Sequence, residues 1–269
     1  DGSISSQFIS ALLLACPLTK NSTTLSIKGE LKSKPYIDVT LDVIEKAGVE
    51  ILVEDHNNPK FIIPGNQSYN LEEYTVPGDF SSASYLLAAA AMTNSNVTVK
   101  NLFPSMQGDI AIINILKEMG ANIYWDMEAG TATVNGGELH GIAMDAGATP
   151  DLVPTVAVLG AMAKGETIIT NAEHVRYKET DRLHAMAVEL EKMGIFCKEE
   201  KDSLTIRGGE FKGAEVHGWH DHRIVMALTL AGMVAGDTTI DTAESIFISY
   251  PNFFDAMRSI GADVVLSEQ

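Results

Sequence analysis

Lys178-Glu179-Thr180-Asp181-Arg182 gathers two cations and two carboxylates into five residues. Four-residue spacing places Lys178 and Arg182 on one side of a starting helix, where a phosphate or carboxylate could bridge them. Glu179 on the adjacent face, taken with Asp151, supplies two carboxylates near two cations, a set suited to moving protons around a charged substrate. The same residues could equally form a solvated helix start laced with ion pairs. Asp221-His222-Arg223 adds another cation at another helix start, where Asp also serves as an ordinary cap followed by surface charge. Ser5, Ser6 and Gln7 set two hydroxyls and an amide beside backbone N–H groups that lack helical partners, a combination able to hold a phosphate through neutral donors. Ser is also a preferred cap in any helix. Ser81-Ser82 stands in the same setting without neighbouring chemistry and is read as capping.

These residues fall at repeated places in the chain. Four polar clusters each open an alanine- and leucine-rich helix, at 8–16, 85–92, 153–163 and 224–234. After each comes a short β-branched run, a loop and a second helix stopped by a glycine: Gly48, Gly120, Gly194 and Gly261. A C′ glycine accepts the positive φ that ends a helix, and a further strand is expected after each, at 49–53, 121–125, 195–198 and 262–266. The unit reads β-α-β-α-β, and strands alternating with two amphipathic helices argue for an α/β architecture built from tandem copies. A boundary is expected in the polar stretch 70–76, so that residues 1–75 form one domain in part and 76–269 hold the last three copies.

Composition narrows the function classes. Lys plus Arg number 19 against 36 Asp plus Glu, a net charge of −17 that repels polyanionic backbones and argues against nucleic acid as a partner. With 45% hydrophobic and 20% charged residues, the chain has material for a core. Cys16 and Cys197 stand singly, with no His at ligand spacing, which suits a reducing cytosol and no structural zinc. Apolar runs such as 86–92 and 153–163 fall short of the roughly 20 residues of a membrane span. The expectation is a cytoplasmic chain with no membrane partner. The opening Asp1-Gly2-Ser3 has neither a starting Met nor a signal-peptide pattern and reads as an interior cut.

Five motifs in order, Asp1-Gly-Ser-Ile-Ser-Ser-Gln-Phe, Leu31-Lys-Ser-Lys-Pro-Tyr-Ile-Asp38, Gly78-Asp-Phe-Ser-Ser-Ala-Ser84, Arg176-Tyr-Lys-Glu-Thr-Asp-Arg-Leu183 and Asp221-His-Arg223, closely resemble the family of 5-enolpyruvylshikimate-3-phosphate synthases. The resemblance covers essentially the whole chain. It implies a two-domain enolpyruvyl transferase fold of repeated βαβαββ units, an inside-out α/β barrel, with the active site in the cleft between domains and the first part missing here. It also implies transfer of the enolpyruvyl group of phosphoenolpyruvate to the 5-hydroxyl of shikimate 3-phosphate, with release of phosphate and with no metal or organic cofactor. A monomer at full length is expected, and the chain alone is expected to be inactive or nearly so.

Carried over by position, Ser5, Ser6, Gln7, Ser33, Tyr36, His174 and Lys178 resemble contacts to shikimate 3-phosphate, with Gln7 also reaching phosphoenolpyruvate. Asp151 matches the aspartate that accepts the 5-hydroxyl proton, Lys178 the lysine beside it, and Glu179 the carboxylate implicated in protonating the methylene carbon. Arg182 and Arg223, with His222, match the residues that hold phosphoenolpyruvate, where a guanidinium fork suits carboxylate and phosphate alike. His174 departs from the Asn of many members, and Ile248 stands where some carry lysine. Two rivals share the fold: the sister transferase acting on UDP-N-acetylglucosamine, which uses a loop cysteine that neither Cys16 nor Cys197 resembles, and a non-catalytic binding domain.

Overall fold

The computed structural model describes residues 1–55 and 59–267. By internal contacts the chain divides into two units: Asp1–Pro77 with Pro104–Gly108, and Gly78–Phe103 with the chain from Asp109 onward.

The first unit runs α1 (Gln7–Ala15), β1 (Thr23–Ser26), α2 (Lys34–Lys46), β2 (Leu52–Glu54) and β3 (Lys60–Ile63). Its strands form an antiparallel sheet in the order β1-β3-β2. Ile37 and Ile44 of α2 lie seven residues apart, hence on one helix face, and join Ile9, Leu13, Phe61 and Ile63 in a small core. Ion pairs Lys34–Asp38 and Lys46–Asp42 lace the solvent side of α2.

The second unit begins with α3 (Phe80–Met92), β4 (Asn96–Lys100), α4 (Ala111–Glu118), β5 (Ile123–Asp126) and β6 (Thr131–Asn135), with sheet order β4-β6-β5. Next come β7 (Ala143–Asp145), α5 (Val153–Met162), β8 (Glu166–Thr170), α6 (Arg182–Lys192), β9 (Phe196–Glu200) and β10 (Ser203–Arg207). This is a complete βαβαββ unit: β7 lies parallel to β8, while β10 pairs antiparallel with both β8 and β9. The sequence reading stopped one strand short, because a tight β9–β10 hairpin adds a second strand after the helix. Then follow β11 (Glu215–Val216), α7 (His222–Ala235), β12 (Thr239–Ile240) and α8 (Phe253–Ser259), with β11 parallel to β12.

Helices α3, α5 and α7 are apolar on every face, and eleven of thirteen, nine of ten and nine of fourteen of their residues are buried. A helix without a polar stripe has to be enclosed, and these three occupy the middle of the unit. Across their contact Ser84 and Thr155 share a buried hydroxyl bond of 3.0 Å. Strands β8 and β10 alternate buried and exposed residues, so each sheet turns one face inward and one to solvent. Helices inside and sheets outside are the inside-out arrangement expected above.

All four helix-stopping glycines adopt positive φ, from 78° at Gly48 to 100° at Gly261. Strands follow the first three. Residues 262–266 form no strand, because no neighbouring strand pairs with them among the described residues. Among the described residues no helix is long and apolar enough to cross a membrane.

Candidate active site

The Lys178–Arg182 segment is not one helix start. Residues Glu173–Tyr177 make a 3-10 turn, Lys178 is extended, and α6 begins only at Arg182, with Asp181 as its N-cap accepting the His184 N–H at 3.0 Å. A capping carboxylate excludes the residues before it from the helix, so Lys178 and Arg182 do not share a helical face. Arg176 braces this turn, donating to Asp181 at 2.8 Å, to Glu199 at 2.6 Å and to the carbonyls of Glu200 and Lys201. Burial opposes the ionised form of Glu199, yet the bonds from His184 and Arg176 outweigh it and hold this carboxylate below its ordinary range.

Arg182 turns inward and is 1% exposed. Its guanidinium donates through Nε to Asp221 Oδ2 at 2.7 Å, through Nη1 to Asp151 Oδ1 at 2.9 Å and through Nη2 to Glu179 Oε2 at 2.5 Å. Burial is the strongest single influence on Arg182 and disfavours its charge, but Asp221 and Asp151 overcome it and raise the pKa above the ordinary arginine value. A buried cation requires such pairing.

Asp151 occupies a single 3-10 turn, Pro150–Leu152, leading into α5. Its second oxygen, Oδ2, accepts from Arg223 Nη2 at 3.0 Å, so one carboxylate bridges two guanidiniums that start two different helices. Asp221 is fully buried and has two tasks: it caps α7 through the Arg223 N–H at 2.8 Å and pairs with Arg182. Tyr85 of α3 is fully buried, and its hydroxyl is pushed up by burial and pulled back in part by Arg223 and Arg182. His222, buried beside Asp221, is driven below the ordinary histidine value first by burial and then by Arg223, so it is neutral at pH 7.

Of the residues singled out in this unit, Asp151, Glu179, Arg182 and Arg223 form one hydrogen-bonded cluster. His222 adjoins it, 3.9 Å from Asp221. Lys178 is half-buried and makes no ion pair among the described residues, and His174 lies buried in the preceding 3-10 turn. Sequence reasoning treated Asp221 as a cap alone. A cap uses one face of a carboxylate, and the free oxygen of an Asp beside Arg was the available signal. Tyr85 carried no local signal at all. Ser81 and Ser82 are not the caps of α3 either: Asp79 accepts both of their N–H groups at 3.1 Å.

In the first unit, Ser5, Ser6 and Gln7 stand at the start of α1. Ser6, the N-cap residue, makes no side-chain capping bond, and Ser5 Oγ accepts the Gln7 N–H at 3.2 Å. Ser33 precedes α2 in the left-handed region, with φ of 55°, also without a capping bond, and its carbonyl accepts the Tyr36 N–H. The hydroxyls of Ser6 and Ser33 are thus not committed to capping their helices.

A family model for EPSP synthase (3-phosphoshikimate 1-carboxyvinyltransferase) matches residues 1–257. The 3-phosphoshikimate 1-carboxyvinyltransferase of Methanococcoides burtonii is 83% identical over the whole chain, and that of Methanosarcina acetivorans 69% identical over 98% of it. The chain spans only 63% and 62% of the length of those two relatives. Among solved structures, an EPSP synthase from Acinetobacter baumannii superposes with a TM-score of 0.81 at 28% identity, covering 98% of this chain and 62% of that one. The enolpyruvyl transferase NikO from Streptomyces tendae, at 22% identity and a TM-score of 0.74 over 96% of this chain and 60% of its own, shares the fold. With residues 1–257 matched, and with its repeated units and five motifs in family order, the chain belongs to the EPSP synthase family.

Proposed function

We propose that the protein containing this chain transfers the enolpyruvyl group of phosphoenolpyruvate to the 5-hydroxyl of shikimate 3-phosphate and releases inorganic phosphate. Family membership supports the reaction, and one observation carries the assignment of roles: the Asp151 carboxylate sits between the guanidiniums of Arg182 and Arg223, while Glu179 holds the same Arg182. The seat between two arginines is shaped for a bidentate anion, and phosphoenolpyruvate offers both a carboxylate and a phosphate. An anion taking those donors frees Asp151 next to the reacting centre.

Asp151 then accepts the 5-hydroxyl proton as the hydroxyl oxygen bonds to C2 of phosphoenolpyruvate. Glu179, 43% exposed and so able to exchange protons with solvent, protonates C3. In the second half, C3 returns a proton, the double bond re-forms, and the C2–O bond to phosphate breaks. Lys178 supplies positive charge near the developing oxyanion, His222 stands beside the anion seat, and Ser5, Ser6, Gln7, Ser33, Tyr36 and His174 are assigned to shikimate 3-phosphate, with Gln7 also contacting phosphoenolpyruvate. The reading includes a cytoplasmic monomer acting without metal or organic cofactor.

The experiment is phosphate release from phosphoenolpyruvate, with shikimate 3-phosphate or UDP-N-acetylglucosamine as acceptor. It uses the 269-residue chain and the same chain joined to the remainder of the Methanococcoides burtonii sequence. Release by the joined protein with shikimate 3-phosphate alone is the expected result, with little or none from the chain by itself. No release with either acceptor overturns the catalytic reading.

A further inference from the structure

The loop that delivers Asp221 follows a costly path. Trp219 and His220, neither a glycine, both adopt the left-handed region, with φ of 57° and 52°. Side chains clash with the backbone there, and such conformations persist only where the surroundings impose them. One constraint comes from the segment after β12: Asp241 accepts from His217 Nδ1 at 2.6 Å and from the Gly218 N–H at 2.8 Å, and Thr242 Oγ1 accepts the His220 N–H at 3.3 Å.

The other constraint is a buried carboxylate with no part in the chemistry above. Glu189 of α6 is fully buried. Its Oε1 accepts the Trp219 indole N–H at 2.9 Å, and its Oε2 accepts the His217 N–H at 3.0 Å and pairs with Lys192 at 2.7 Å. Glu189 lies seven residues after Arg182, two turns on and on the same face of α6. One helix face therefore holds both ends of the arrangement: Arg182 grips Asp221, and Glu189 grips the loop that carries Asp221 into place. A carboxylate with three donors is retained in a core only at a desolvation cost, which a hydrophobic residue would avoid.

We propose that Glu189 is a positioning residue for the anion seat: its carboxylate holds the 217–220 loop, with Trp219 and His220 left-handed, and through Asp221 fixes the orientation of Arg182 and Arg223. This rests on the assignment of that seat to phosphoenolpyruvate. Glu189→Gln keeps the shape but replaces one acceptor with an NH2 group that faces a donor. Glu189→Asp keeps the charge and shortens the reach.

Two readouts test it. In the joined protein, Glu189→Gln should raise the KM for phosphoenolpyruvate about tenfold or more while the KM for shikimate 3-phosphate changes by less than threefold, with Glu189→Asp recovering part of the loss. In the joined protein, the Trp219 indole N–H resonance, assigned by its loss in Trp219→Phe, reports the loop directly. Titration with phosphoenolpyruvate should move the Trp219 indole signal, at lower concentration in the wild type than in Glu189→Gln. Should Glu189→Gln fail to fold, Trp219→Phe removes only one of the three donors and should shift KM in the same direction. A folded Glu189→Gln with unchanged KM and unchanged phosphoenolpyruvate titration overturns the proposal, as does a Trp219 signal that phosphoenolpyruvate does not move. A wild type that binds phosphoenolpyruvate with these effects yet transfers nothing to shikimate 3-phosphate overturns the reaction and leaves the positioning role standing.

Discussion

Asp221→Asn separates two contributions that one residue combines. Asn caps a helix about as well as Asp, so the bond to the Arg223 N–H is kept. The charge opposite Arg182 is lost, in a setting where Asp221 is 0% and Arg182 1% exposed and their atoms are 2.7 Å apart. Breaking a buried pair by removing one partner costs about 3–5 kcal/mol, because the remaining charge is stranded. Arg182 retains Asp151 and Glu179, so the lower end is expected, about 3 kcal/mol. For a unit of this size that lowers Tm by roughly 6–12 °C. Asp221→Ala should cost about 1 kcal/mol more, since the cap goes too. The assay is urea and thermal unfolding of the 269-residue chain followed by circular dichroism, with Arg182→Met and the Asp221→Asn/Arg182→Met double variant completing the cycle. A coupling energy of about 2 kcal/mol is expected for residues that share a charge-assisted bond. A loss under about 1 kcal/mol for Asp221→Asn, or strictly additive variants, would refute the view that Asp221 is the principal counter-charge of Arg182.

Asp151→Asn should abolish turnover of the joined protein without weakening phosphoenolpyruvate binding, since a neutral amide competes less for Arg182 and Arg223; normal turnover would sink the assignment of Asp151 as proton acceptor. His222 has its folded pKa below the ordinary histidine value, through burial and then Arg223. The unfolded chain therefore binds the proton first, and the His222 contribution to stability is lost as pH falls below about 6.5, levelling off once pH is below the folded value. An imidazole resonance of His222 titrating at or above 6.5 contradicts this. Burial pushes the Cys197 thiol up to about 12, so iodoacetamide at pH 8 should modify half-buried Cys16 first and reach Cys197 only on unfolding. Equal rates in the native state would argue against the packing of β9.

The elements legible in the sequence were those governed by neighbours within a turn or two. Gly48, Gly120, Gly194 and Gly261 ended helices because a C′ residue with positive φ is a local requirement. Repetition of the same pattern exposed the βαβα order, whereas the enclosure of 153–162 on all sides was shown only by the structure. Asp221 as a cap was legible for the same reason. The family resemblance supplied the names of Asp151, Glu179, Arg182 and Arg223, but not what each one touches. That was decided by tertiary structure: Arg182 meets Asp151 from 31 residues away and Asp221 from 39, and spacing rules that span four residues cannot choose between such partners. Lys178 was misplaced because a cap at Asp181 competes with helix continuation, and the Arg176 brace across 23–25 residues stabilises the cap outcome. Residues 262–266 were misread because β structure needs a partner edge, which no local pattern contains. Local sequence thus determined where the glycine-stopped helices end, whereas burial of charge, which only the assembled helices impose, determined which carboxylate answers which arginine.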